Sequence, residues 1–378
     1  MKETPLPRTL QEAAKSFADE QFCVDLIAAM RWADGQAVCP KCSQKNNHFM
    51  ASRKVWQCKN KECKKQFSVK VGTIFEDSAI ALEKWLLAMW LIVNAKNGIS
   101  SYELHRALLI TQKSAWFVLH RVRTAMTVGS IEKLSGTIEA DETYIGGDAK
   151  NMHSKERKRR VKKSGSTAHK SAVLGMVQRG GKVRAQVVRS RDAQTIRNFV
   201  TEGAEAGSEV MTDEWRGYHN LHDLYTHEVI NHSMTYVREN VHTNNIENFW
   251  SLLKRTIKGT YISVSPAHLQ KYVEEQMFRY NERHGNDQMR FVRLIESISG
   301  KRLMHSQLIG YETGCIIIRK GNAGERRRSR LSSFLFSDVL PLFSNLPSER
   351  LRPSSAIAEN ARRLSRRFSF LFFLSSYI

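Results

Sequence analysis

A chain of 378 residues with 41% hydrophobic side chains can bury the cores of two or three domains. Its 59 Lys and Arg against 37 Asp and Glu leave a formal net charge of +22 and a sequence pI near 9.9, a surplus that implies a polyanionic partner, nucleic acid before membrane. The N-terminal Met-Lys-Glu-Thr-Pro-Leu-Pro-Arg has no apolar signal core, and the longest apolar run, around Leu86 to Val93, is far too short for a bilayer; both point to a cytoplasmic protein with no membrane partner, nucleoid-associated where its polyanion is DNA.

Residues 1–34 read as a helical segment. Residues 35–75 carry four of the six cysteines, as Cys39-Pro-Lys-Cys42 and Cys58-Lys-Asn-Lys-Glu-Cys63, with fifteen residues between the pairs. Two short-spaced pairs separated by the length of a β-hairpin can present four thiolates tetrahedrally to Zn2+, and a reducing compartment keeps such thiols from forming disulfides. The second pair is wider than the common two-residue spacing, but a longer knuckle still closes the site. Trp56 and Phe67 flank it, as expected of a small ribbon whose core is too thin without metal. Cys23 and Cys315 have no partner in sequence and read as small core residues.

From residue 76 to 130 the pattern turns helical. Leu82, Trp85, Leu86, Met89, Trp90 and Val93 recur at steps of three and four, predicting an amphipathic helix with a broad buried face that ends near Asn97-Gly98. Ser100 or Ser101 can cap a short helix through Leu109, and Thr111 a second through Met126 that carries Lys113, His120, Arg121 and Arg123. Two short helices with a tight joint and a basic second helix predict a helix-turn-helix-like module with Lys113, Arg121 and Arg123 directed at DNA; plain packing of a small helical unit is the alternative.

Residues 131–300 read as a mixed α/β domain. Gly136 to Tyr144 is strand-like, Ser171 to Gln178 and Lys182 to Arg189 form a hairpin across Arg179-Gly180-Gly181, Asp192 to Glu205 is helical and Glu209 to Thr212 is a further strand. This order fits an RNase H-like mixed sheet with the first strand central and the fourth beside it, making Asp141 and Asp213 neighbours. On a helix beginning near Asn244, the side chains of Asn244, Glu247, Ser251 and Lys254 share one face, while Ile246, Phe249, Trp250 and Leu253 can face a core. Asp141, Asp213 and Glu247 then form a set of hard oxygen ligands from separate elements. Such a set suits two divalent ions, Mg2+ or Mn2+, that stabilise the attacking and leaving oxygens of a phosphodiester displacement. Lys254 would meet a phosphate. The rival reading gives Glu247 a capping-box role with Asn244. Between the first strand and the hairpin, Lys150 to Lys170 holds nine Lys and Arg, among them Arg157, Lys158, Arg159, Arg160, Lys162 and Lys163; the run is either a solvated loop or, beside the acids, a phosphate clamp that orders on DNA.

Taken together, Ile-Glu-Ala-Asp141-Glu-Thr-Tyr-Ile-Gly-Gly, Thr-Asp213-Glu-Trp-Arg-Gly-Tyr and His242-Thr-Asn-Asn-Ile-Glu247-Asn-Phe-Trp-Ser-Leu-Leu-Lys254-Arg resemble bacterial insertion-sequence transposases of the DDE type with an N-terminal zinc ribbon, relatives of the integrase-like superfamily. Gly259-Thr-Tyr, Val264-Ser-Pro-Ala-His-Leu and Phe278-Arg-Tyr-Asn extend the resemblance, which covers roughly residues 15 to 310. It implies metal-dependent cleavage at the ends of a mobile element and strand transfer into target DNA. Asp141, Asp213 and Glu247 carry over as metal ligands and Lys254 as the basic residue seven positions after the third acid. The implied partners are double-stranded terminal repeats, target DNA and further copies of the chain on that DNA. No protein nucleophile is required, so Tyr144 and Tyr218 read as packing residues.

Two other functions fit parts of the pattern: a non-catalytic zinc-ribbon DNA-binding regulator, which would need neither Asp213 nor Glu247, and an RNase H-like nuclease. Residues 301–378 read as a C-terminal extension. From Gly321 to Ile378 there are ten Arg, twelve Ser and no Lys, whereas the preceding chain uses Lys freely. That stretch therefore reads as read-through or frameshifted sequence, with an arginine-rich DNA arm as the alternative.

Overall fold

Short polar caps punctuate the N-terminal helices. Thr9 accepts a hydrogen bond from the Glu12 N–H at 3.2 Å to start α1 (Leu10–Phe17), and Asp19 accepts from the Gln21 N–H at 2.8 Å to start α2 (Glu20–Arg31). The structure, a computed structural model, describes residues 6–45, 47–127, 132–154, 157, 169–213, 216–230 and 242–308. The chain divides into Met1–Cys315 and Ile316–Ile378; the second unit, including Cys315's successors and the arginine-rich stretch, lies outside the described residues, as does Cys315 itself.

After α2 come three short antiparallel strands in the order β1 (His48–Met50), β2 (Val55–Gln57) and β3 (Gln66–Phe67). Three helices follow: α3 (Leu82–Asn94), α4 (Ser101–Leu108) and α5 (Gln112–Met126). Of the two candidate caps for α4 it is Ser100 that serves, in a capping box with Glu103, and Leu109 ends the helix in the left-handed region at φ 50°. Thr111 caps α5 as expected, accepting from the Ser114 N–H at 3.1 Å.

The second half builds one five-stranded mixed sheet from β4 (Thr137–Ile145), β5 (Ser171–Gln178), β6 (Val183–Val188), β7 (Glu209–Asp213) and β8 (Thr226–Ile230), in the order β6-β5-β4-β7-β8. β4 pairs antiparallel with β5 and parallel with β7, and β8 adds parallel to β7. One face packs on α6 (Ala193–Gly203) through Ile138, Ala140, Leu174, Ile196 and Val200. The other packs on α7 (Asn244–Thr256) and α8 (Leu269–Asn281) through Val173, Val177, Phe249, Trp250 and Val273. This is the RNase H-like sheet anticipated from the sequence, with one strand more: β8, Thr-His-Glu-Val-Ile, lacks a clean alternation and owes its pairing to β7 rather than to its own pattern.

The cores do not divide at residue 130. α9 (Asp287–Glu296) returns to the N-terminal half, where the Phe291 ring packs at a tilt with its centre 5.3 Å from that of Phe17 and 5.2 Å from that of Trp90, and Leu294, Ile295 and Ile298 join the same cluster as α1 to α5 and the ribbon. Residues 287–298 thus belong by packing to the N-terminal core and not to the sheet domain. Among the described residues no helix is long and apolar enough to cross a membrane.

α8 also explains a correction to the helix-turn-helix reading. Arg121 and Arg123, expected to face DNA, are buried at 4% and 1% exposure. Arg121 donates to the carbonyls of Ile74 (2.8 Å), Glu76 (2.5 Å) and Leu303 (3.0 Å). Arg123 pairs with the buried Glu275 of α8 at 2.6 Å, its guanidinium 4.0 Å from the Tyr272 ring centre. His120 is buried beside them among Trp116, His268 and Tyr272, and burial, with the charge of Arg123, lowers it to about 3, so its ring is neutral. Only the start of α5 stays at the surface, and there Lys113 is exposed.

Candidate active site

Alternation along β4 decides which side chains can meet α7. Ile138 and Ala140 go to the α6 face, whereas Glu139, Asp141 and Ile145 go to the α7 face. β4 and β7 run parallel with Glu139 opposite Met211, and two residues further along each strand stand Asp141 and Asp213. α7 lays Ile246, Phe249, Trp250 and Leu253 on the sheet and leaves Glu247, Ser251 and Lys254 on its outer side. The result is a cleft of about 570 Å³ lined by Asp141, Glu142, Asp213, Glu247, Ser251 and Lys254 among others.

Close approach of α7 depends on a missing side chain. Gly175 pairs with Asp141 across β4 and β5, and a Cβ there would come within 2.5 Å of the Trp250 ring and 3.0 Å of Ile246. With hydrogen in that place the indole settles against β5 and its N–H donates to Asp141 Oδ2 at 2.9 Å.

The electrostatics are those of crowded acids. Burial raises the Asp141 carboxyl to about 6, reinforced by the charges of Asp213 and Glu247 and opposed by the Glu142 N–H and the Trp250 indole. Glu142, which the sequence reading passed over, also lines the cleft; burial and then Asp213 and Asp141 raise it to about 7, while Arg191 stands 3.6 Å away and Tyr218 donates to it at 3.4 Å. Tyr218, read from the sequence as a packing residue, is buried and is a hydrogen-bond partner of this acid.

The capping-box alternative for Glu247 is not what the structure contains. Thr243 precedes α7 without a side-chain cap, and Thr243 Oγ1 donates to Glu247 Oε1 at 3.2 Å. Two of the free N–H groups in the first turn of the helix, those of Asn245 and Ile246, go instead to Glu139. Lys254 lies on two cavities at once: the acid cleft and an adjoining one of about 430 Å³ that it shares with Lys170 and Lys258. Of the basic run, Arg157 is exposed, and Lys158, Arg159, Arg160, Lys162 and Lys163 lie outside the described residues.

In the ribbon, Cys39, Cys42, Cys58 and Cys63 bring their sulfurs within 4.8 Å of one another, with Cys39 to Cys63 at 3.8 Å and Cys42 to Cys58 at 3.4 Å. Each knuckle ends on a residue in the left-handed region, Ser43 at φ 58° and Lys64 at φ 44°. The wider second knuckle closes because the N–H groups of Cys63 and Lys64 both turn back to the Asn60 carbonyl. Against the upward push of burial, the N–H groups of Cys42 and Lys41 draw Cys39 down to about 7, whereas burial and the neighbouring sulfurs push Cys58 up to about 12. Four thiols so placed can ionise together only around a cation, and this donor set fits Zn2+. Trp32, Phe49 and Phe67 surround Trp56 at 5.0, 4.7 and 6.3 Å. Cys23 donates to the Phe17 carbonyl at 3.3 Å and is pushed by burial to about 12, an inert core thiol.

A family model described as the ISXO2-like transposase domain matches residues 133–281, and one described as the transposase zinc-ribbon domain matches residues 18–66. The first span ends with α8, so α9 falls outside it, in agreement with its packing on the N-terminal core. The chain is also similar to an uncharacterized protein in transposable element ISH50 of Halobacterium salinarum, 28% identical over 277 residues that cover 70% of this chain and 92% of the relative. That relative is archaeal, so the likeness does not assign the chain to bacteria, as the motifs had suggested. The chain thus carries a transposase zinc ribbon followed by an ISXO2-like transposase domain, in the order the motifs anticipated, and resembles a protein of a transposable element along most of its length.

Proposed function

We propose that the chain cuts DNA at the ends of an insertion sequence and joins those ends to target DNA, with Asp141, Asp213 and Glu247 as ligands for Mg2+ or Mn2+. The observation that carries this reading is the meeting of three acids from β4, β7 and α7 on one cleft, where burial and the two neighbouring charges raise Asp141 to about 6. Hard carboxylate oxygens suit these ions, and a cation would relieve the crowding. The regulator alternative gives no reason for such a cost.

When bound, such ions lower the pKa of a water or a DNA 3′-hydroxyl and stabilise the leaving oxygen. The protein's own part is orientation. Trp250 fixes one oxygen of Asp141. Lys254 holds a phosphate next to the acids, and Lys170 and Lys258 continue the track of the strand into the adjoining cavity. Lys113, Arg157 and the run from Lys158 to Lys163 add salt-dependent affinity, and the ribbon helps to position the DNA. Two or more copies assemble on the paired element ends.

The test pairs a gel shift with Mg2+-dependent cleavage and strand transfer on DNA bearing the element's terminal repeats. Asp141→Asn, Asp213→Asn and Glu247→Gln keep shape but remove charge; each should lower strand transfer by roughly a hundredfold or more, the scale of losing one preorganised charge-stabilising group, with DNA binding retained. Lys254→Ala should weaken positioning and reduce the rate without abolishing it. Full activity in Asp141→Asn or Asp213→Asn sinks the assignment, and nicks without joined products would make the protein a nuclease.

A further inference from the structure

Glu139 is fully buried on β4, two residues before Asp141 and on the same face. Its carboxylate accepts from Arg179 Nε at 2.9 Å, from the backbone N–H and the side-chain amide of Asn245 at 2.7 Å each, and from the Ile246 N–H at 3.2 Å. His242 Nδ1 lies 3.2 Å away, and Arg179 also donates to the His242 carbonyl at 3.0 Å. A strand residue more than a hundred positions earlier in the chain thus does what a cap on the helix's own chain ordinarily does for its orphan N–H groups.

We infer that Glu139 is the positioning residue of the acid cleft: it ties the start of the helix carrying Glu247 to the strand carrying Asp141, holding the third acid opposite the first two before a cation arrives. This rests on the metal-ligand reading of the three acids. Carboxylates gathered on one cleft repel, and the repulsion acts to lift α7 from the sheet. Two contacts along the helix oppose that: charge-assisted bonds at Glu139 and the Trp250 bond to Asp141. Asn245 and Ile246 lie within about 3 Å of axial rise of Glu247, so release of the anchor displaces the acid directly. The positive end of the helix dipole further favours a negative charge at Glu139. Arg179, at the turn between β5 and β6, holds the carboxylate from the other side.

The experiment uses full-length, zinc-loaded protein stripped of other divalent ions. Wild type and Glu139→Gln are titrated with Mn2+ by electron paramagnetic resonance and assayed for gel-shift binding and Mn2+-dependent strand transfer on the same DNA. The Mn2+ dissociation constant should rise about ten- to a hundredfold, the usual effect of losing a group that orients a metal ligand. The Mn2+ needed for half-maximal strand transfer should rise with it, saturating Mn2+ should restore part of the rate, and DNA binding should hold. Arg179→Met should do the same in smaller measure and decides the question if Glu139→Gln does not fold. Glu247→Gln is the control. If it leaves Mn2+ affinity and strand transfer at wild type, the metal-ligand reading fails. If it abolishes both while folded Glu139→Gln, or Arg179→Met in its stead, binds Mn2+ as wild type does, Glu139 has no positioning role, even where thermal stability has dropped.

Discussion

Arg123 and Lys254 are both cations on helices of a strongly basic chain, yet one is sealed in the core and the other opens onto the acid cleft. The difference lies in what faces them. Arg123 meets Glu275, which is also bound by Arg279 and by the Tyr261 hydroxyl at 2.5 Å. Burial alone would raise the Glu275 carboxyl, but Arg279 and Arg123 outweigh it and hold the group at about 2. A carboxyl lowered in the folded state contributes stability that is complete above its unfolded value, near 4.5, and is lost as pH falls towards the folded value. Glu275→Gln leaves two buried guanidinium groups without their counter-charge and should cost about 3–5 kcal/mol at pH 7. The gap from wild type should narrow steadily below pH 4.5. Urea unfolding followed by tryptophan fluorescence measures it, and a gap independent of pH would show that the ion pair is not its source.

Elements depend on partners that arrive late in the chain. α7 lies on the sheet because Gly175 makes room, Trp250 reaches Asp141 and Glu139 receives its N-terminus. The ribbon depends on a ligand rather than on area: its strands are two or three residues long, and its aromatic cluster of Trp56, Phe49 and Phe67 is completed by Trp32, just beyond α2. Chelation of its metal, or Cys58→Ala, should therefore open residues 35–75 while the sheet domain stays folded, since its packing uses none of them. Limited proteolysis should cut within the ribbon and spare the fragment beyond it, and metal analysis of untreated protein should find one zinc per chain. A folded, DNA-binding preparation without zinc would be incompatible with this.

On the scale of the molecule, the first core runs through α1 to α5 and the ribbon and takes in Phe278, Phe291, Leu294, Ile295 and Ile298. A cut at residue 282, at the end of the matched transposase domain, would remove α9 from that core, and a protein so shortened should be poorly soluble. Truncation after Lys320 removes none of it. That variant should keep wild-type strand transfer, assayed on the same DNA ends, if the arginine-rich stretch is read-through sequence; loss of activity in a soluble truncated protein would favour a DNA arm.

Local rules carried the sequence reading far. Cysteine spacing found the zinc site, turn residues found the β5–β6 hairpin, and alternation and helical spacing put Asp141, Asp213, Glu247 and Lys254 on elements that do meet. These features depend on neighbours a few residues away, and the order of strands follows from them. Tertiary structure alone decided the rest. Glu139 sits at the right alternation beside Asp141, yet its partners are 40 and about 106 positions distant. β8 pairs because β7 offers an edge, and Arg121 and Arg123 turn inward because distant carbonyls and the Glu275 carboxylate satisfy them better than water could. A side chain's own sequence neighbourhood sets which face of an element it occupies; what waits opposite that face is fixed only when elements far apart in the chain pack together.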